Sequence, residues 1–311
     1  MLYRLKNVIF IASALMVLLS SYASAETITV RHNRITDMGA KEQYQYGLLK
    51  LALSYDKQNS YEFEESTRYL PQIRMIEDIM SDNLEIAWTG TSIDLEEKLQ
   101  PIRIPLYKGL LGHRIFIIRA DNQYKFDRVN SFEDLKQLTA AQERTWADTA
   151  ILRNAGIRVF GTRTYDNLFY MLEGGRYDYF PRGVHEPWSE VASHSELPLT
   201  IEKRILIKYP LPAYFFVSKN NTQLARAIKT GLISAIEDGK FDEYFFNNPM
   251  IRDVIRKADL ENRKIFEIEN PFIPKETPFD DKRLWLHIDD LKNHHSVINM
   301  ASTNQFSVTQ G

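Results

Sequence analysis

The residues best equipped to hold a polar molecule are two arginines, two carboxylates and two tryptophans: Arg114, Arg182, Asp148, Glu186, Trp88 and Trp146. Arg182 follows a short apolar run and Pro181, so it projects from the end of a strand rather than from a helix face. A guanidinium there can grip a carboxylate or phosphate with two parallel hydrogen bonds. The alternative is an ion pair with Glu186, four residues on, and the spacing allows either. Arg114, after Gly112-His113 at the start of another apolar run, has a similar claim, while Arg34 is an ordinary loop arginine. Trp88 and Trp146 offer flat faces that can stack on a ring or cover a cation, and Trp88 serves equally well as a core residue. Asp148 and Glu186 have the chemistry of an acid and base pair.

Around them, the recognised catalytic motifs are missing. There is no G-x-S-x-G elbow, G-x-G-x-x-G fingerprint, phosphate-binding loop or H-E-x-x-H helix. The seven histidines (32, 113, 185, 194, 287, 294 and 295) have no second ligand at helical or hairpin spacing except the adjacent His294-His295. The chain has no cysteine, which excludes disulfides, thiolate metal sites and cysteine nucleophiles. No cofactor or metal is expected.

These groups must be positioned by 311 residues, 44% hydrophobic and 26% charged, enough for two domains at about 150 residues each. The 39 basic and 41 acidic residues leave a net charge of -2, so nothing draws the chain to nucleic acid. Residues 1–25 read as a secretory signal peptide. Arg4 and Lys6 precede the twelve-residue apolar stretch Val8 to Leu19, and Ala23-Ser24-Ala25 offers a cleavage site. That stretch falls short of the roughly 20 residues of a spanning helix. Cleavage after Ala25 leaves 37 basic and 41 acidic residues, a charge of -4, on a chain expected in the periplasm.

The rest alternates strand and helix patterns, the mark of an α/β fold. Thr27 to Arg31 reads as a strand, and Lys41 to Lys57 as a helix with Tyr44, Leu48, Leu51 and Tyr55 along its buried face. Tyr61 to Tyr69 alternates like a half-exposed strand, Pro71 opens a helix to about Met80, and Leu84 to Trp88 is a buried strand leading into Thr89-Gly90-Thr91-Ser92. Strands follow at His113 to Arg119, Tyr177 to Phe180 (stopped by Pro181) and Tyr214 to Ser218. Helices are expected from the capping box Ser131-Phe132-Glu133-Asp134, at Asn167 to Leu172, at Asn221 to Glu237 and from Phe241 to Phe246. The final polar stretch, 291–311, is expected to be a disordered tail.

Three segments, in order, resemble the periplasmic solute-binding proteins of the amino-acid-binding type, the two-lobed receptors that feed ABC transporters. They are Glu85-Ile86-Ala87-Trp88-Thr89-Gly90-Thr91-Ser92 running on to Ile104-Pro105-Leu106-Tyr107; Ser131 to Gly183 with Leu172-Glu173-Gly174-Gly175-Arg176-Tyr177-Asp178; and Tyr214-Phe215-Phe216-Val217-Ser218-Lys219 with the helix that ends at Asp238-Gly239-Lys240-Phe241. The resemblance implies a two-lobed type II periplasmic-binding fold, α/β, each lobe a mixed sheet flanked by helices and joined by two crossing strands. Lobe 1 would comprise 26–110 and 208–290, and lobe 2 would comprise 111–207. It also implies that the ligand sits between strand-end loops, with Trp88, Thr89, Thr91 and Arg114, Trp146, Asp148, Arg182, Glu186 around it. Gapless counting places Glu97 where the family has the arginine that clamps a ligand α-carboxylate, and Gly183 where an aspartate holds the α-amino group. Both anchors for a free amino acid are missing or reversed.

Two function classes remain. One is a non-catalytic receptor, a monomer that closes on a small polar or anionic solute and presents it to a permease or membrane sensor. The other is a periplasmic enzyme on the same scaffold, a dehydratase-like lyase using Asp148 and Glu186.

Overall fold

A computed structural model describes residues 26–35 and 40–286; the expected signal peptide and the whole of the expected tail lie outside the described residues. In chain order the elements begin with β1 (Thr27–His32), α1 (Ala40–Leu53), β2 (Ser60–Glu65), α2 (Gln72–Met80), β3 (Ile86–Gly90), α3 (Ile93–Lys98) and β4 (Gln100–Ile102). Next come β5 (His113–Arg119), α4 (Gln123–Asp127), α5 (Phe132–Lys136), β6 (Thr139–Glu143), α6 (Ala147–Asn154), β7 (Arg158–Thr162) and α7 (Asn167–Glu173). The chain continues through β8 (Phe180–Gly183), α8 (Pro187–Ser193), β9 (Leu199–Ile201), β10 (Ile205–Lys208) and β11 (Ala213–Val217). It closes with α9 (Thr222–Glu237), α10 (Lys240–Asn247), α11 (Pro249–Lys257) and β12 (Lys264–Glu267).

The strands form two mixed sheets. The first runs β2-β1-β3-β11-β4, with β1 parallel to both neighbours and β11 antiparallel to both of its own. The second runs β12-β10-β5-β8, with β9 also on β5, and β6 and β7 make a parallel pair beside it. The inner strands are buried on both faces and so read as unbroken apolar runs: Ala213 to Val217 in β11 and Ile115 to Ile118 in β5 are all buried. At an edge the pattern alternates instead, as β2 does with Tyr61, Phe63 and Glu65 inward and Glu62 and Glu64 outward. Helices cover the sheets with one apolar face each; Tyr44, Leu48, Leu49 and Ala52 of α1 share a core with Leu224, Ile228 and Leu232 of α9. The capping box predicted at Ser131 starts α5.

Two expectations change. Pro181 does not stop a strand: it lies within β8, opposite Phe116, where the end position of β8 on the hydrogen-bonded path tolerates a residue without an N–H. The segment 208–290, expected wholly in the first lobe, sends β12 to the second sheet, where it pairs with β10 in parallel register from Ile205 opposite Lys264 to Lys208 opposite Glu267. Arg263 fixes this return by donating from Nη1 to the Glu202 and Ile205 carbonyls at 2.8 and 3.0 Å.

Two stretches of chain cross between the sheets side by side. Leu106 N–H donates to the Ala213 carbonyl at 2.9 Å and Tyr209 N–H to that of Gly112 at 3.0 Å. Gly112 is required by this approach, since a Cβ there would overlap the Tyr209 carbonyl. The last described residues run across both crossings: Asn270 Nδ2 donates to Pro210 at 2.8 Å and Leu286 N–H to Lys108 at 2.8 Å.

Candidate functional site

Arg114 enters the second sheet at the start of β5, and register brings it opposite Gly183 of β8, one residue from Arg182. The loop after β8 turns at once into α8, so Glu186 folds back and accepts from the Gly183 N–H at 2.7 Å. Asp148, in the first turn of α6, reaches the same place from the other side. Arg114 pairs with Asp148 and, at 3.4 Å, with Glu186; Arg182 pairs with Glu186 at 2.9 Å and Glu190 at 2.5 Å. All four of the predicted charged residues are buried. The Trp146 ring lies 4.9 Å from the Arg182 guanidinium, so five of the predicted residues form one cluster. Of the two readings of Arg182, its ion pair with Glu186 is present, and Glu190 adds a second carboxylate.

Five residues of this cluster, Glu190 among them, were not expected. Tyr209 donates to Asp148 at 2.5 Å, and Tyr165 donates to Glu190 at 2.6 Å. Lys41, from α1 on the first sheet, donates to Glu186 Oε1 at 3.1 Å. His185 stacks on Tyr107 of the first crossing, ring centroids 4.1 Å apart. Glu190 was within reach of sequence reasoning, one helical turn beyond Glu186. Lys41 was not, being 145 residues from its partner.

Burial pushes the Glu186 carboxyl up, but Arg182, Lys41, His185 and Arg114 outweigh it and hold the group below the usual carboxylate range. Burial, helped by the nearby charges of Lys41, Arg114 and Arg182, pushes the His185 imidazole down to about 3 against the smaller pull of Glu186, so it is neutral at ordinary pH. Arg182, disfavoured by burial, is held charged by Glu186 and Glu190, and Arg114 likewise by Asp148. Three cations, Lys41, Arg114 and Arg182, thus meet three carboxylates, Asp148, Glu186 and Glu190. Arg114 Nε and both ring nitrogens of His185 are buried without a hydrogen-bond partner.

Trp88, Thr89 and Thr91 make their contacts elsewhere, within the first sheet. Trp88 is half-buried against Phe215 and His32, with centroids 6.1 and 6.0 Å away. Thr89 faces Tyr214 in the ladder, and Thr91 is buried with its hydroxyl donating to Glu96 at 2.6 Å. Glu97, at the position of the family's carboxylate clamp, is exposed on α3. Among the described residues, no group of three or more histidine or acidic side chains could hold a metal ion, and no helix is long and apolar enough to cross a membrane.

No protein-family model and no curated protein matches the chain. Solved structures do. A Salmonella typhimurium periplasmic binding protein of high arginine specificity superposes with a TM-score of 0.51 at 15% identity, covering 71% of this chain and 97% of its own. The substrate binding protein of an amino acid ABC transporter gives 0.50 at 10% identity, covering 72% and 99%. A histidine kinase sensor domain similar to periplasmic binding proteins gives 0.51 at 14% identity, covering 72% and 96%. The chain has the two-lobed type II periplasmic-binding fold that these proteins share, its two sheets forming the lobes.

Proposed function

We propose that this chain, on its two-lobed scaffold, is an exported solute-binding protein. It closes on a small polar or anionic solute and presents it to an ABC-type transporter or a membrane sensor. The observation that carries the reading is the meeting of Lys41, from a helix of one lobe, with Glu186 and the buried arginines of the other. A point where polar groups from both lobes converge is where a bound solute gains contacts in the closed form and loses them in the open one. In this reading Arg114, Arg182, Asp148, Glu186 and Trp146 face the solute from one lobe and Lys41 from the other, while Thr91 stays bound to Glu96. The protein acts as a periplasmic monomer, released by cleavage after Ala25, and needs no cofactor.

Native mass spectrometry of protein purified without refolding tests this, together with melting curves in the presence of amino acids, dicarboxylates and phosphate esters. A retained small molecule, or a compound that raises the melting temperature in proportion to its occupancy, is expected, with the increase lost in Arg182→Ala. A compound returned chemically altered would transfer the reading to the lyase. No retained molecule and no shift with any class would overturn it.

A further inference from the structure

Glu186 is held in the way a receptor holds the carboxylate of a guest. Its two oxygens accept from Lys41 Nζ at 3.1 Å, the Gly183 N–H at 2.7 Å, Arg182 at 2.9 Å and Arg114 at 3.4 Å. The residue is buried, and the donors come from both lobes. The contacts are unequal. Those from Arg182 and Gly183 are short and lie within the same strand-loop unit. The Arg114 contact is the longest, and Lys41, with 31% of its side chain exposed, is the donor nearest solvent. Arg114 also retains a buried, unpartnered Nε.

We propose that Glu186 is an internal carboxylate latch. In the solute-free protein it fills an anion subsite made by Lys41 and Arg114 and so holds the lobes together, and a carboxylate on the solute takes that subsite while Glu186 keeps Arg182 and Gly183. The exchange conserves charge pairing, because Lys41 and Arg114 pass from one carboxylate to another. Arg114 Nε then gains the acceptor it lacks. This deepens the receptor reading and rests on it for the identity of the displacing group, but the latch itself requires no solute.

The absence of native cysteine makes the test direct. Spin labels on Lys229→Cys in one lobe and Arg158→Cys in the other, both at exposed positions, report lobe separation by pulsed electron resonance. Glu186→Gln and Lys41→Met are each expected to shift the distances to longer values without added solute. In Glu186→Ala, formate is expected to restore the shorter distances, and chloride at equal concentration is not. Unchanged distances in both Glu186→Gln and Lys41→Met, or formate acting no better than chloride, would overturn the latch. Should the Glu186 variants fail to fold, Lys41→Met decides alone, since its side chain is the partly exposed member. A solute panel that gives no shift defeats the receptor reading and leaves these distances unaffected. A panel that succeeds beside unresponsive distances defeats the latch alone.

Discussion

The imidazole of His185 lies flat on the phenol ring of Tyr107, with centroids 4.1 Å apart and planes 26° from parallel. This joins the loop behind β8 to the first crossing between the lobes. The histidine is fully buried and beside Glu186, so burial keeps it uncharged where an exposed histidine would titrate.

That burial sets the acid sensitivity of the fold. The unfolded chain takes up a proton near pH 6.5, whereas folded His185 does so only near 3. Its contribution to stability is complete above pH 6.5 and is lost as pH falls from there toward 3, by about 1.4 kcal/mol per pH unit. His185→Phe keeps a stacking ring and removes the titration. Urea unfolding at pH 7.5 and pH 5 is expected to show a smaller loss in this variant than in the wild type. His113, pushed down by burial to about 4, adds the same trend to both proteins and cancels. Equal pH dependence in the two proteins would show that His185 is protonated in the folded state.

Arg114 and Asp148 form a buried pair, with Tyr209 also donating to the aspartate. Arg114→Leu strands that carboxylate and is expected to cost about 3 to 5 kcal/mol, read from the urea midpoint at neutral pH. The double variant Arg114→Leu, Asp148→Leu is expected to recover part of the loss, because no charge is left uncompensated. A single variant as stable as the parent would mean that the site is open to water.

Gly112 sits where the two crossings touch. Gly112→Ala pushes its Cβ into the Tyr209 carbonyl and is expected to destabilise by about 2 to 3 kcal/mol. Gly174→Ala, where the added Cβ finds only ordinary contact at a helix end, serves as the control and should melt close to the wild type. If both variants melt alike, the crossings are not in contact in solution.

Ser131 Oγ accepts from the Asp134 N–H at 3.1 Å, and the Asp134 carboxylate accepts from the Ser131 N–H at 2.9 Å. Ser131→Ala removes half of this reciprocal cap. A loss of about 1 kcal/mol in chemical denaturation is expected.

Ser131 also shows which parts of the fold a sequence displays: those governed by neighbours along the chain. The cap, the helical spacing of Tyr44 and Leu48, and the alternation of β2 each repeat a local rule of burial. The Arg182–Glu186 pair was visible for the same reason, its partners being four residues apart. Lys41 was invisible because only the approach of the start of α1 to the other lobe brings it to Glu186. Pro181 misled because a proline ends most strands, and nothing local reveals that β8 occupies the end of its sheet. The contacts of Trp88 and Thr91 were equally unreadable, since Trp88 packs on Phe215 and Thr91 commits its hydroxyl to Glu96 inside its own lobe.

The return of β12 to the second sheet bears on how the molecule is made. The first sheet waits for Ala213 to Val217, and the second waits for Lys264 to Glu267, so neither is complete until most of the chain has emerged from the ribosome. Pairings this distant in sequence raise the entropy of loop closure and slow folding. A chain that folds late stays extended long enough to be threaded through a membrane pore, which would suit the export proposed above.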